Sequence, residues 1–344
     1  MKKIAVAILG ATGSVGQHFI SLLAHHPWFD VVAVAASERS VGKRYGEVVN
    51  WNLSDSIPDK VAKLEVLPID ADFDCRTVFS ALDASVAGLA ESRLAERGYA
   101  VISNSKNHRM RKDVPLLIPD VNPDHLELLK GRRSGGYIVT NPNCAAVGLS
   151  IALKPILDFY GLDSVNVVTM QAISGAGFAG VSGMQIVDNL LPYISGEEDK
   201  IESEPRKILG HFREGGIQYN NFNISSQCNR VPVIDGHMMC VSVKLSSTAN
   251  SEDIISNWNN YSSSSTRGLP SAPEKIIQYF ERVDYPQPRL HRNCGNGMQV
   301  SIGRLRRCPL FDYKFVVLSH NTIRGAAGGA ILTAEFLYKN SYLN

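Results

Sequence analysis

Residues 3–27 read KIAVAILGATGSVGQHFISLLAHHP, and this stretch decides the fold. Its segment IAVAIL is apolar without interruption, which is typical of a parallel strand buried on both faces. Three glycines spaced three apart come next, and QHFISLLAHHP has the periodicity of an amphipathic helix. In such a βαβ start the backbone can approach a pyrophosphate at the helix N-terminus. We predict dinucleotide binding, although a tight turn that packs the helix closely would explain the same glycines.

Strand and helix patterns continue to alternate up to residue 141. The segments TVFSALD (77–83), YAVISN (99–104) and GYIVTN (136–141) predict strands, and SVAGLAESRLAERG (85–98) predicts a helix between them. This alternation predicts an α/β fold with a Rossmann-like, doubly wound parallel sheet. Ligands of such sheets bind beyond the carboxyl ends of the strands.

The second predicted strand, DVVAVAAS (30–37), ends in Ser37, Glu38, Arg39 and Ser40. An NAD site usually ends this strand with an acid that binds the ribose hydroxyls, whereas an arginine nearby accommodates the 2′-phosphate of NADP. The guanidinium of Arg39 between two serines suits that phosphate. We therefore predict NADP, and Glu38 leaves NAD open as the alternative.

Composition excludes several other classes of protein. A chain of 344 residues is long enough for two domains, and a net charge of +2 gives little support for nucleic-acid binding. We find no apolar run of about 18 residues, so no membrane span is predicted. The six cysteines are scattered without a CxxC pair and the nine histidines form no HxxxH array, which predicts reduced thiols, no metal site and a cytoplasmic protein.

Cys144 lies in TNPNCAAVG (140–148), just past a predicted strand and at the start of a predicted helix. A helix N-terminus favours a thiolate, and its backbone N–H groups can hold an oxyanion. Cys144 is therefore a candidate nucleophile. A buried structural cysteine is the alternative, because free cysteines are often core residues.

Two further clusters could supply partners for this thiol. Arg230 and His237 lie in NRVPVIDGH (229–237), where arginine can bind a carboxylate and histidine can transfer a proton near neutral pH. Glu197 and Lys200, three residues apart in GEEDK, share one face of a helix and could present opposite charges to one ligand. A structural histidine and a solvated charge run are the alternatives.

Motifs along the whole chain resemble aspartate-β-semialdehyde dehydrogenase, in the branch found in archaea and fungi. They are GATGSVGQ (10–17), SNSKNHR (103–109), NPNCAAVG (141–148), QAISGAG (171–177), GEEDK (196–200), NRVPVIDGH (229–237), DYPQPRL (284–290) and NTIRGAAGGAILTAE (321–335). The resemblance implies NADPH-dependent reductive dephosphorylation of L-aspartyl 4-phosphate to L-aspartate 4-semialdehyde. This step serves the biosynthesis of lysine, threonine, methionine and isoleucine.

The resemblance also assigns roles to individual residues. It implies that Cys144 is the nucleophile and His237 the general acid/base. The substrate would be bound through its α-carboxylate by Arg230, through its ammonium by Glu197, and through its phosphate by Lys200, Arg109 and Asn143, with Gln171 helping to position it. The cofactor would be bound by Gly10, Thr12, Gly13, Ser14, Val15, Ser37, Arg39, Ser40, Ser174, Gly175 and Asn321.

The family architecture implies two domains and an oligomer. Residues 1–146 and 322–344 would form a discontinuous NADP-binding domain, and 147–321 an α+β domain for substrate and dimerisation, as in glyceraldehyde-3-phosphate dehydrogenase. The expected assembly is a homodimer or homotetramer. Competing functions are malonyl-CoA reductase or N-acetyl-glutamyl-phosphate reductase on the same scaffold, whose substrates lack an ammonium group, and a non-catalytic NADP-binding regulatory protein.

Overall fold

The computed structural model describes residues 3–130, 135–178 and 180–343, and it contains two six-stranded sheets. Every pairing in the first sheet is parallel, and the strand order is 3-2-1-4-5-6, the order of dinucleotide-binding folds. The predicted doubly wound sheet is confirmed. Its strands are β1 (Ile4–Leu9), β2 (Phe29–Ala35), β3 (Val66–Leu67), β4 (Thr77–Ser80), β5 (Ala100–Ser103) and β6 (Tyr137–Thr140).

Strand β1 is covered on both faces, as its uninterrupted apolar sequence predicts. Val6 and Ile8 belong to one buried cluster together with Phe19. Ala7 and Leu9 point the other way, into a second cluster. The helices of this half are α1 (Ser14–Leu23), α2 (Tyr45–Val48), α3 (Asp59–Ala62) and α4 (Ala84–Glu96), and a 3₁₀ segment covers Pro123–Leu129.

The second sheet is mixed, with strand order 10-7-11-14-13-12. Helix α5 (Cys144–Tyr160) covers one face, where its Leu149 and Ile156 share a buried cluster with Val167. The strands are β7 (Leu162–Gln171), β10 (Asn223–Arg230), β11 (His237–Leu245), β12 (Ile277–Phe280), β13 (Val300–Arg307) and β14 (Tyr313–Ser319), and β8 (His211–Arg213) pairs with β9 (Gly216–Gln218) as a separate hairpin. The remaining helices of this part are α6 (Gly183–Ile186), α7 (Glu197–Ile208), α8 (Ser251–Asn259) and α9 (Pro288–His291), with a 3₁₀ segment at Cys294–Gly297.

The chain passes between the sheets twice. It leaves the first sheet after β6 and enters α5, and it returns after β14 through Ile323–Ala327 into α10 (Gly328–Lys339). Ile331 and Phe336 of α10 join the buried cluster of the first sheet. We propose the predicted division into 1–146 with 322–344 and 147–321; residues 1, 2, 131–134, 179 and 344 of these ranges lie outside the described residues. Among the helices of the described part, none is long and apolar enough to cross a membrane.

Candidate active site

Cys144 is the first residue of α5, at the point where the chain leaves the parallel sheet. The side chain of Asn143 caps this helix, because its Oδ1 accepts hydrogen bonds from the backbone N–H groups of Ala145 and Ala146 at 3.0 and 3.1 Å. The predicted helix start is therefore confirmed. The second crossing segment passes directly over the cysteine: a Cβ added to Gly325 would lie 2.8 Å from Cα of Cys144.

His237 meets this thiol from the other sheet. It is the first residue of β11, and its Nε2 lies 3.1 Å from Sγ of Cys144. The backbone N–H of Ala172 donates to its Nδ1 at 3.1 Å, so the neutral ring carries its proton on Nε2, facing the sulfur. In the resting state His237 thus donates to the cysteine. To accept the thiol proton at Nε2, the ring must first take the other neutral tautomer, with its proton on Nδ1.

Burial sets the protonation of both groups. It raises the pKa of the Cys144 thiol to about 12, with a further contribution from the charge of Glu197, and Arg109, Lys200 and Arg230 oppose the shift. Burial also lowers the pKa of His237 to about 3. At neutral pH the pair is thus an uncharged thiol and an uncharged imidazole. Desolvation thus opposes the stabilisation of a thiolate that the helix N-terminus offers.

Glu197 is the centre of a buried polar network beside the thiol. Its carboxylate accepts hydrogen bonds from Nδ2 of Asn143 at 2.7 Å, Nε2 of Gln171 at 3.1 Å and Nζ of Lys200 at 2.8 Å. Burial raises the pKa of this carboxyl, but the charge of Lys200 and these hydrogen bonds outweigh burial and hold the pKa below its usual value. Glu197 and Lys200 do share a helix face, as predicted, and they pair with each other.

Glu204 also belongs to this site, although we did not predict it from the sequence. It is 2% exposed, and its carboxylate accepts from Nη1 of Arg109 at 3.0 Å and from the backbone N–H of Asn143 at 2.6 Å. Glu204 therefore connects Arg109 with Asn143, the residue that precedes Cys144. Its spacing of seven from Glu197 puts both carboxylates on one face of α7, and that spacing was the available signal.

Arg230 closes the site on the side of the second sheet. It is buried, and its Nη1 donates to the carbonyl of Ala172 at 2.7 Å. A Cβ added to Gly175 would lie 2.8 Å from Nη1 of Arg230 and 3.1 Å from Cε1 of His237. The backbone of Gly175 therefore passes directly against both side chains, and a β-carbon there would have to displace the guanidinium of Arg230.

A cavity of about 480 Å³ lies beside the thiol. His237 and Glu204 contact residues that line it, Cys144 and Arg109 respectively, but do not line it themselves. The predicted residues that it brings together are Val15, Arg109, Asn143, Cys144, Gln171, Ser174, Gly175, Glu197, Lys200, Arg230 and Asn321. Asn104 and Lys106 also line it and were not predicted. The predicted cofactor residues outside its walls are Gly10, Thr12, Gly13, Ser14, Ser37, Arg39 and Ser40.

The residues outside the cavity lie at the carboxyl ends of β1 and β2, which are adjacent parallel strands. Gly10 has φ +70°, and a Cβ there would lie 2.5 Å from the carbonyl oxygen of Ala81; one added to Gly16 would lie 2.3 Å from the carbonyl oxygen of Gly10. Close packing, the alternative reading of these glycines, is therefore also observed. Helix α1 has no side-chain cap at Gly13, so its first N–H groups can receive a diphosphate. This fits a dinucleotide.

Asn321 links the nucleotide side of the cavity to the thiol side. Its Nδ2 donates to Oγ of Ser174 at 2.7 Å, and its Oδ1 accepts from the backbone N–H of Gly236 at 2.8 Å. Gly236 immediately precedes His237 in the chain. Asn321 and Ser174, both predicted near the cofactor, thus hold each other and the turn before the histidine.

Comparison with known proteins agrees with this geometry. Residues 5–129 match the family model described as semialdehyde dehydrogenase, NAD binding domain, and residues 153–324 match semialdehyde dehydrogenase, dimerisation domain. The aspartate-semialdehyde dehydrogenase of Archaeoglobus fulgidus is 46% identical over 99% of this chain and 100% of its own length. The structure of the Candida albicans enzyme with NADP has a TM-score of 0.92 at 43% identity, covering 99% of this chain and 100% of that one.

A more distant structure has the same fold. Aspartate semialdehyde dehydrogenase II of Vibrio cholerae, complexed with ASA, has a TM-score of 0.78 at 26% identity and covers 99% of both chains. The similarity thus extends over both sheets and the cavity between them. The relatives from an archaeon and a fungus confirm the branch that the motifs predict. The chain belongs to the aspartate-semialdehyde dehydrogenase family.

Proposed function

We propose that the protein reduces L-aspartyl 4-phosphate to L-aspartate 4-semialdehyde with NADPH and releases phosphate. The observation that carries this proposal is the contact of 3.1 Å between Nε2 of His237 and Sγ of Cys144, a residue that lines the same cavity as Arg230 and Glu197. A nucleophile, a proton carrier and binding groups of both charges meet at one point. Acyl transfer from a phosphorylated amino acid needs this set.

The reaction is divided into two easier steps by the cysteine. Sγ of Cys144 attacks the acyl carbon, a carbon–sulfur bond forms, and the bond to the phosphate oxygen breaks as phosphate leaves with the electron pair. With the ring proton of His237 moved to Nδ1, its Nε2 accepts the thiol proton and passes it to the departing phosphate. The backbone N–H of Cys144 stabilises the oxyanion of the tetrahedral state. When the reduced adduct collapses, the carbon–sulfur bond breaks, and the released thiolate regains a proton that His237 takes up from solvent.

Complementary charges support the proposed substrate orientation. Glu197 offers a carboxylate to the ammonium group, and Arg230 a guanidinium to the α-carboxylate. Lys200 and Arg109 would neutralise the phosphate. Asn143 and Gln171 already use their amide nitrogens to hold Glu197, so their proposed contacts with substrate must share or replace those hydrogen bonds. Malonyl-CoA carries no ammonium, and Glu197 would then have no counterpart.

We propose that Gly10, Thr12, Gly13, Ser14 and Val15 bind the pyrophosphate, and that Ser37, Arg39 and Ser40 bind the 2′-phosphate. NADPH supplies a hydride when it is bound. Ser174, Gly175 and Asn321 line the cavity beside the thiol and would orient the nicotinamide end. The first N–H groups of α1 and the adjacent carboxyl end of β2 support this placement.

We propose further that a second copy of the chain covers the face of the second sheet that α5 leaves open. Val168 pairs with Cys240 and Met170 with Met238, and all four side chains point away from the face that α5 covers. These side chains are partly or fully exposed in one chain. Light scattering should report a dimer or larger, and Val168→Asp should dissociate it. The predicted cytoplasmic location stays a prediction.

An assay of aldehyde oxidation tests the function. NADP⁺ reduction should require both aspartate semialdehyde and phosphate, and Cys144→Ala should abolish turnover while NADP⁺ binding remains. Turnover with malonyl-CoA and none with aspartyl phosphate would favour the CoA reductase. NADP⁺ binding without turnover of any of these substrates would favour the regulatory protein. Unchanged rates in Cys144→Ala would reject the covalent route.

A further inference from the structure

Residues 103–109, which we call the 103–109 loop, begin at the last residue of β5 and continue beyond that strand. Asn104, Lys106 and Arg109 of this loop line the cavity beside Cys144. The loop folds back on itself, because Nη2 of Arg109 donates to the carbonyl of Asn104 at 2.7 Å. Whatever fixes this loop therefore also fixes the guanidinium and ammonium groups that face the proposed phosphate.

Glu91 of α4 is buried directly behind the loop, outside the cavity lining. It has no solvent exposure, and its Oε1 accepts from Oγ of Ser103 at 2.8 Å. Its Oε2 lies 3.4 Å from Nε2 of His108, and within the described part of the chain neither atom makes a full hydrogen bond. Glu91 thus contacts the first residue of the loop and the residue next to Arg109.

Hydrogen bonds carry this anchoring along the loop. The backbone N–H of Ser105 donates to Oγ of Ser103 at 3.0 Å, and Oγ of Ser105 donates to Oδ1 of Asn107 at 2.6 Å. Nδ2 of Asn107 donates in turn to the carbonyl of Ala84, at the start of α4, at 2.9 Å. Hydrogen bonds therefore connect both ends of the loop to α4, and the connection through Glu91 is the buried one.

We propose that Glu91 is a positioning residue for the reaction, which holds the 103–109 loop so that Lys106 and Arg109 meet the phosphate. The role rests on the proposed function, since it assigns phosphate to this side of the cavity. Burial raises the pKa of the Glu91 carboxyl to about 7, so a large share of it is protonated at pH 6.5. Nη1 of Arg111 lies 3.5 Å from Nδ1 of His108 and can only donate to it, so the neutral ring carries its proton on Nε2, facing Oε2 of Glu91. Glutamine reproduces the neutral form of Glu91 in size and in hydrogen bonding.

The test compares Glu91→Leu and Glu91→Gln with the wild type at pH 6.5, in the direction of aldehyde oxidation. Glu91→Leu should raise KM for phosphate about tenfold or more, while KM for NADP⁺ changes less than about threefold, because a loop shifted by a fraction of an ångström loses oriented contacts. Glu91→Gln should stay within about threefold of the wild type for both. Glu96→Gln on the exposed side of α4 is the matched control.

Phosphate binding measured by calorimetry provides a readout that does not need turnover. A wild type that binds phosphate without turning over refutes the proposed function, and the ratio of phosphate Kd values between Glu91→Leu and wild type still tests Glu91. If Glu91→Leu does not fold, Ser103→Ala, which removes the other end of the same hydrogen bond, should give the same rise in phosphate KM. Several results would overturn the proposal. In a folded Glu91→Leu variant these are an unchanged KM for phosphate or an equal rise in KM for NADP⁺. The others are a phosphate KM for Glu91→Gln as high as that for Glu91→Leu, and a wild type that binds no phosphate.

Discussion

Replacing His237 by alanine should slow the reaction, because the Cys144 thiol then loses its proton without help from a base. With its pKa at about 12, about one thiol in 10,000 is a thiolate at pH 8. General acid–base catalysis by a positioned histidine contributes a factor between about 10² and 10⁴. We expect kcat/KM of His237→Ala to fall within that range at pH 7, which corresponds to about 3 to 5 kcal/mol of transition-state stabilisation.

The pH dependence is the sharper part of this prediction. The pKa of His237 is lowered to about 3, so its ring is neutral from pH 5 upward and the wild-type profile should be flat between pH 6 and pH 9. In His237→Ala the thiolate must form without a partner. Its log kcat/KM should then rise by about one per pH unit over the same interval, because the thiolate fraction rises tenfold per unit below the thiol pKa.

A second variant separates proton transfer from hydrogen bonding. His237→Gln keeps an N–H donor for the sulfur but cannot relay a proton, so it should resemble His237→Ala in slope. His211→Ala, at an exposed histidine of β8, is the control. The rates are followed as NADP⁺ reduction under saturating phosphate. A slope near zero in His237→Ala, or an equal slope in the wild type, would refute the reasoning that His237 moves the thiol proton.

Three further predictions concern the cofactor site and the surroundings of the thiol. Arg39→Ala should raise KM for NADP⁺ about tenfold and leave KM for NAD⁺ nearly unchanged; equal changes in steady-state kinetics would contradict the 2′-phosphate role. Glu204→Ala leaves Arg109 buried without its carboxylate partner, so urea unfolding should show a loss of about 3 to 5 kcal/mol; a loss no larger than that of exposed Asp199→Ala would contradict it. Gly325→Ala places a Cβ 2.8 Å from Cα of Cys144, so kcat should fall at least about tenfold, whereas Gly183→Ala, with open space around it, should leave kcat unchanged.

Local patterns were sufficient for much of the fold. The apolar run of β1, the glycines after it and the periodicity of α1 specify strand, turn and helix from neighbouring residues alone, because burial on both faces and helix amphipathicity leave signatures in short windows. The same holds for the start of α5 at Cys144, where Asn143 caps the helix. The resemblance in eight motifs then identified the family, which the comparisons confirm.

The chemistry of the site depended on contacts between distant parts of the chain. His237 lies 93 residues from Cys144 in sequence, and the antiparallel pairing of β7 with β11 brings it beside Ala172, whose N–H fixes the ring proton. Glu204 reads in the sequence as one of several charges of a solvated helix, and only packing against the 103–109 loop shows it as buried.

The sequence by itself determined the strand, turn and helix patterns and, through its motifs, the family and the residue types available for catalysis. The tertiary structure alone decided that Cys144 and His237 are both uncharged at rest and that Glu197 already pairs with Lys200. The physical reason is that pKa values and ion pairs depend on desolvation and on distances across both sheets. Neither quantity is encoded in the spacing of neighbouring residues.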